Sequence, residues 1–271
     1  MAVDQHLLNS KQMAQFAADG FLRFDELVPV ELNQAVYAEI GKNAVPRPQA
    51  GSHLSQAWPE SAVGQVFGLP QVQGIIHSLV GPDPLYDHHA VHTVGPHHDQ
   101  GQIWHADAII DTRMHFDIQF FYFCHDTPRE MGGTMILPGS HFRRISESDI
   151  SRYQNFLGQV PFVCKAGTLV VVHHGIWHCA QPNLTDQMRY MFKLRLNPTV
   201  RQIRLWDTAD LEDATIPGTL STNHRWYGNE VRLEIVNRIK FWRFLIGDEK
   251  YDVHYWLSRL ENMPENRLRA A

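Results

Sequence analysis

The spacing of apolar positions changes twice along this chain and divides it into three stretches. Residues 1–84 carry helical spacing. Ser10 is placed to cap a helix running to Asp19, with Gly20 as its stop. A second helix is predicted from Pro29 to about Val45, with Leu32, Val36 and Ile40 on one face. A loop rich in Pro, Gly and Ser follows from Pro46 to Pro59, and Pro70–Val80 reads as a third helix ended by Gly81-Pro82. From residue 85 to about 200 the pattern becomes short runs of β-branched and aromatic residues. These are Leu85–Val94, Gln102–Ile110, His115–Cys124, Thr134–Leu137, Thr168–His173 and Arg189–Leu196. Turn signals at Gly95-Pro96, Gly132-Gly133, Pro138-Gly139 and Pro182-Asn183 separate them. Many strands with little helix between them predict a barrel or jelly roll.

Helical spacing returns over residues 201–271, where Val231, Ile235, Ile239, Trp242 and Leu245 recur on one face. This stretch also holds Trp226, Tyr227, Phe241, Phe244, Tyr251, Tyr255 and Trp256. Packing of these rings against the β core is the simpler expectation; a lid or a homodimer interface through the aromatic helices is the sharper one. The expectation is a single domain, mainly β, flanked by helices at both ends.

Composition narrows the function classes. A hydrophobic fraction of 44% with 20% charged residues suits a globular protein. The net charge of −5, with no basic block, argues against a nucleic-acid partner. No apolar run is long enough to cross a bilayer, and Met1–Gln15 lacks the apolar segment of a secretory signal. Cys124, Cys164 and Cys179 lack metal-type spacing, so a reduced, cytoplasmic protein is expected. The count of 17 His raises the expectation of metal chemistry.

Trp104-His105-Ala106-Asp107 is where that chemistry concentrates. Side chains two apart on a strand point to one side, so His105 and Asp107 can share an ion. Two His and a carboxylate form the three-ligand face of non-haem Fe(II) oxygenases. The buried-strand signal Gly167–Val172 runs into His173, His174 and His178, any of which can supply the third ligand. Beyond them, Arg189, Met191, Lys193 and Arg195 share one face of a predicted strand, with Tyr190, Phe192, Leu194 and Leu196 on the other. The polar face suits a strand lining a site; taken alone, a solvated outer face is the simpler explanation. Gln119 is placed either toward the cavity as a polar contact or as an ordinary barrel residue. His97, His98 and Asp99 suggest a loop at the mouth, a surface patch or a second metal site.

The order His105-Ala106-Asp107, Gly132-Gly133-Thr134, Leu137-Pro138-Gly139-Ser140-His141, Gly167-Thr168-Leu169, His178, Pro182-Asn183 and Arg189 resembles the phytanoyl-CoA dioxygenase-like family. Phe16–Phe21 resembles that family's opening, and the resemblance covers roughly residues 10–197. It implies a double-stranded β-helix, a jelly roll related to cupins, and the use of Fe(II), 2-oxoglutarate and O2. It maps the metal ligands to His105, Asp107 and His178, and the grip on the cosubstrate's distal carboxylate to Arg189. Gln119 is carried as a further cosubstrate contact, and Lys193 and Arg195 as alternative anchors without the matching spacing. The two Gly-rich motifs are expected to build turns. Family halogenases have a small residue at the Asp107 position, so the carboxylate points to hydroxylation of a small or medium metabolite, with release of succinate and CO2. One departure stands out: family members often carry Ser two residues after the distal His, and here that residue is Ala180. The competing expectations are a cupin-like isomerase or hydrolase that does not use 2-oxoglutarate, a non-catalytic barrel that binds a small molecule, and an interaction role centred on the aromatic tail.

Overall fold

The computed structural model describes residues 4–107, 114–143 and 150–253. The N-terminal stretch forms α1 (Ser10–Asp19), strand β1 (Phe21–Phe24), α2 (Val30–Gly41), α3 (Leu54–Ala57), α4 (Ala62–Gly68) and α5 (Pro70–Val80). Strands β2 (Leu85–Val94), β3 (Ile118–Phe123), β4 (Thr134–Ile136), β5 (Val160–Pro161), β6 (Thr168–His173), β7 (His178–Ala180) and β8 (Arg189–Asn197) follow. Two helices, α6 (Ile216–Leu220) and α7 (Asn229–Ile246), complete the described chain.

The strands form two antiparallel sheets, a five-stranded one in the order β1-β6-β3-β8-β2 and a three-stranded one in the order β5-β4-β7. The inner strands β3 and β6 of the larger sheet are buried on both faces, because their alternate residues serve two different cores. Phe120, Tyr122, Leu169, Val171, Phe192 and Leu194 pack with α1, α2, α4, α5 and α7. Phe121, Phe123, Val170, Val172 and Met191 turn the other way and meet Ile136 and Phe162. The two sheets therefore face each other as an open jelly roll, not a closed barrel, and the functional residues lie between them.

Local chemistry explains the boundaries. Asn9, not Ser10, caps α1: its side chain accepts from Gln12 N–H while the Gln12 side chain accepts from Asn9 N–H. Ser10 is instead the first helical residue, its N–H bound to Asp210 Oδ1. Gly20 ends α1 at φ +80°, where a side chain would strike the His141 ring. The second helix stops at Gly41, short of Val45. The Gln102–Ile110 strand is corrected within the described residues to a single bridge between His105 and His178. Gln102 N–H bonds Ala180 O, and His105 and His178 exchange both backbone bonds. Gln102 and His105 are thus one residue further apart than their partners, and a bulge interrupts the ladder. Residues 108–110 of that expectation lie outside the described residues, as do Tyr255 and Trp256.

The aromatic C-terminal stretch packs inward: Phe241, Trp242, Phe244 and Tyr251 join the helical core. Trp226 instead packs beside Trp177, with the Arg143 guanidinium 3.4 Å above its ring. No helix among the described residues is long and apolar enough to cross a membrane.

Candidate metal centre

His105, Asp107 and His178 converge between the sheets, with one donor atom from each within 4.8 Å of the others. The bridge places His105 directly opposite His178, their rings 4.4 Å apart. Asp107 Oδ1 lies 3.9 Å from His105 Nε2, and Oδ2 lies 3.6 Å from His178 Nε2. The backbone fixes both tautomers. His105 Nδ1 is 2.9 Å from Ile103 O, and His178 Nδ1 is 3.1 Å from Ile176 O. A carbonyl only accepts, so each Nδ1 carries the proton and each Nε2 keeps its lone pair for a metal. Burial pushes the His178 imidazole down to about 4, so it is neutral at physiological pH. Burial also favours the neutral form of Asp107, but His178 and Lys193, with hydrogen bonds from Lys193 and Gln119, hold its carboxyl well below the usual range. Two imidazole nitrogens and one carboxylate are a donor set that fits Fe(II). Among the described residues this is the one cluster able to hold a metal ion.

The other candidate His residues do different work. His173 is buried and stacks on Phe116, and His174 bonds Asp117 O. His97 pairs with Asp186 at the surface, and His98 and Asp99 are exposed. His141 reaches Ala17 O, and the Ser140 hydroxyl accepts from Trp177 N–H, so the Pro138–His141 turn ties α1 to the loop before β7.

The centre opens into a pocket lined by His92, Gln102, Thr134, Ala180, Arg189 and Lys193 among others. Arg189 is 4% exposed. Its Nη1 donates to Met131 O at 2.7 Å and Gln181 O at 2.8 Å. Those two bonds lock the guanidinium plane and leave the rest of the fork for the pocket. Burial lowers its pKa to about 10, which keeps it cationic at neutral pH. Gly132 makes this placement possible. Its φ is +92°, and a Cβ there would lie 2.1 Å from Pro182 O and 2.5 Å from Arg189 Nη1. Gly132→Ala is expected to cost about 2–4 kcal/mol by combining left-handed strain with overpacking. Thermal melting checks that loss, and an unchanged melt would show that the turn relaxes freely.

The polar face of β8 thus lines the site and is not solvated. Gln119 projects from β3 on the same side, and its Nε2 donates to Asp107 Oδ2 at 2.8 Å, so its contact in this structure is with the carboxylate. Sequence reasoning missed His92, Gln102 and Thr134, and missed the pairing of Lys193 with Asp107. Strand alternation carried a signal for Lys193, since it shares a face with Arg189.

A family model described as phytanoyl-CoA dioxygenase (PhyH) matches residues 2–191. The chain belongs to this family. Enzymes of the PhyH family use Fe(II), 2-oxoglutarate and O2, and the chain is an enzyme of that oxygenase superfamily. No curated protein sequence matches this PhyH member. Solved structures share its fold at low identity. The carbocyclase SnoK from nogalamycin biosynthesis is 16% identical, with TM-score 0.55, covering 75% of this chain and 88% of its own. HygX from Streptomyces hygroscopicus, solved with nickel and 2-oxoglutarate, is 14% identical, with TM-score 0.56 and coverages of 77% and 93%. The non-haem monooxygenase ThoJ in a nickel complex is 22% identical, with TM-score 0.53 and coverages of 72% and 83%.

Proposed function

We propose that this chain is an Fe(II)/2-oxoglutarate-dependent dioxygenase that hydroxylates an unactivated C–H bond of a small or medium metabolite, releasing succinate and CO2. The convergence of His105, Asp107 and His178 on a pocket that also holds Arg189 supports this reading. His105 Nε2, His178 Nε2 and the Asp107 carboxylate would hold the iron, a three-ligand set that leaves room for cosubstrate and oxygen. The bound iron and its cosubstrate supply the oxidising chemistry.

The chain's own residues position and enclose. Arg189 meets the distal carboxylate of 2-oxoglutarate with the free part of its fork, a charge-assisted and geometrically selective contact. Thr134 lies opposite Ala180 in the β4–β7 register and lines the same pocket. Its hydroxyl takes the place of the serine that the family often carries at the Ala180 position. Phe121, whose ring lies 5.4 Å from that of His178, and Phe123, which lines the pocket, present apolar surface to the centre and limit water around it. The carboxylate of Asp107 occupies the place that a halogenase leaves open, which favours oxygen insertion.

Anaerobic addition of Fe(II) and 2-oxoglutarate is expected to produce the weak visible charge-transfer band of the chelate. Succinate release across a metabolite panel then finds the substrate, and its product should gain one oxygen atom by mass. Absence of the band removes the oxygenase reading. A product of unchanged oxygen content would redirect it toward ring closure or epimerisation, chemistries named for the structural neighbours SnoK and SnoN.

A further inference from the structure

Asp107 has two oxygens, and the fold treats them differently. Lys193 Nζ lies 2.5 Å and Gln119 Nε2 2.8 Å from Oδ2. Among the described residues nothing donates to Oδ1, which faces His105 Nε2. The imidazoles do not create this asymmetry, because each oxygen has one Nε2 at a comparable distance. Without the two donors, either oxygen or both could ligate.

Neither donor is free to leave. Gln119 is fully buried on β3, with Arg195 and Val172 beside it in the neighbouring strands. Lys193 lies mid-strand on β8, paired with Phe121 on one side and Ala90 on the other, and its side chain is 10% exposed. Asp107 is the ion-pair partner found for Lys193 among the described residues.

We infer that Lys193 and Gln119 tether Asp107 through Oδ2 alone and reserve Oδ1 for the metal ion. This rests on the metal assignment under Proposed function. Lone pairs engaged by an ammonium and an amide donate poorly to a metal, so the carboxylate binds through one oxygen. A carboxylate binding through both would take a coordination position that the cosubstrate or oxygen needs. The ammonium also repels a divalent cation and competes with it for Asp107. Lys193 is therefore a positioning residue that weakens metal binding and in return keeps the coordination sphere open.

The test separates this role from simple structural support because the two affinities move in opposite directions. Co(II), whose visible spectrum reports coordination number, is titrated into wild type, Lys193→Met and Lys193→Arg. 2-Oxoglutarate is then titrated into each Co(II)-loaded protein. In Lys193→Met, Co(II) is expected to bind about 10-fold tighter and 2-oxoglutarate about 10-fold weaker, the size typical of changes behind a metal ligand. Its Co(II) spectrum should shift toward higher coordination before cosubstrate is added, and Lys193→Arg should stay near wild type. Both affinities falling together, or either one unchanged, overturns the inference. If Lys193→Met does not fold, Gln119→Met removes the neutral donor and must give the same two signs. Failure of wild type to bind Co(II) is a separate result, visible before any variant is compared, and sinks the metal centre itself.

Discussion

Arg189→Met is expected to weaken 2-oxoglutarate binding by about 10²–10⁴-fold while Fe(II) affinity stays within a few-fold of wild type. Two charge-assisted hydrogen bonds at about 1.5–3 kcal/mol each, with about 1.4 kcal/mol per tenfold change, give that range. The guanidinium contributes no atom to the metal cluster, which is why the two affinities separate. Arg189 also satisfies Met131 O and Gln181 O, so its loss leaves two carbonyls unpaired and should lower the melting temperature. Arg189→Lys separates the effects, since an ammonium can keep the charge and reach a carbonyl but cannot present a planar fork. Anaerobic titration of the chelate band gives both affinities. An unchanged affinity for 2-oxoglutarate in Arg189→Met would remove Arg189 from the cosubstrate site.

Asp107→Asn should reduce Fe(II) affinity by at least about 100-fold, because it removes the only anionic ligand while keeping the shape. It also leaves Lys193 facing an amide in place of a carboxylate. Breaking a fully buried ion pair costs about 3–5 kcal/mol; with these side chains 10% and 22% exposed, a loss of about 2 kcal/mol in the metal-free protein is the reasonable scale. The double variant Asp107→Asn/Lys193→Met should recover much of that stability without recovering metal binding. Denaturant melts and isothermal titration measure the two quantities independently. Near-normal Fe(II) binding by Asp107→Asn would exclude Asp107 as a ligand.

Local pattern was enough to read several elements to the residue. Pro70–Val80, Leu85–Val94 and Thr168–His173 appear with the expected ends, because Pro70 and Gly81 bracket a helix and turn residues bracket the two strands. The errors fall where tertiary contacts decide. Strand β1 is four residues long and exists because it adds to β6. β7 is three residues long and is set by pairing with β4. Neither has a run long enough to show periodicity. The segment around His105 looked like a strand by composition, yet its spacing mismatch with β7 leaves one bridge. The Asn9 cap was missed because Asn9 and Ser10 are both good caps, and only the reciprocal bonds to Gln12 distinguish them.

At the site, residue types and their order were legible in the chain. The His105–Asp107 pair is legible from spacing alone, whereas His178 and Arg189 are singled out by the order of motifs that resembles the phytanoyl-CoA dioxygenase-like family. Which of His173, His174 and His178 faces the metal was open to residue reading alone, because all three follow the same buried strand. The fold brings His178 alone of the three into the cluster through one bridge: His178 pairs with His105 across the ladder, while His173 stacks on Phe116 and His174 bonds Asp117 O. The role of Lys193 is likewise a tertiary fact. Alternation puts it on the face of Arg189, but only the packing of β3 and β8 against the His105–Asp107 segment brings its ammonium to Asp107 Oδ2. Sequence by itself determined the fold class and the His105–Asp107 pair, which follow from local spacing and side-chain chemistry, while the choice of His178 and Arg189 came from the family resemblance. Tertiary structure alone decided the oxygen of Asp107 that is held, the proton positions on the two imidazoles and the side of β8 that faces the pocket, because each depends on atoms brought together from distant parts of the chain.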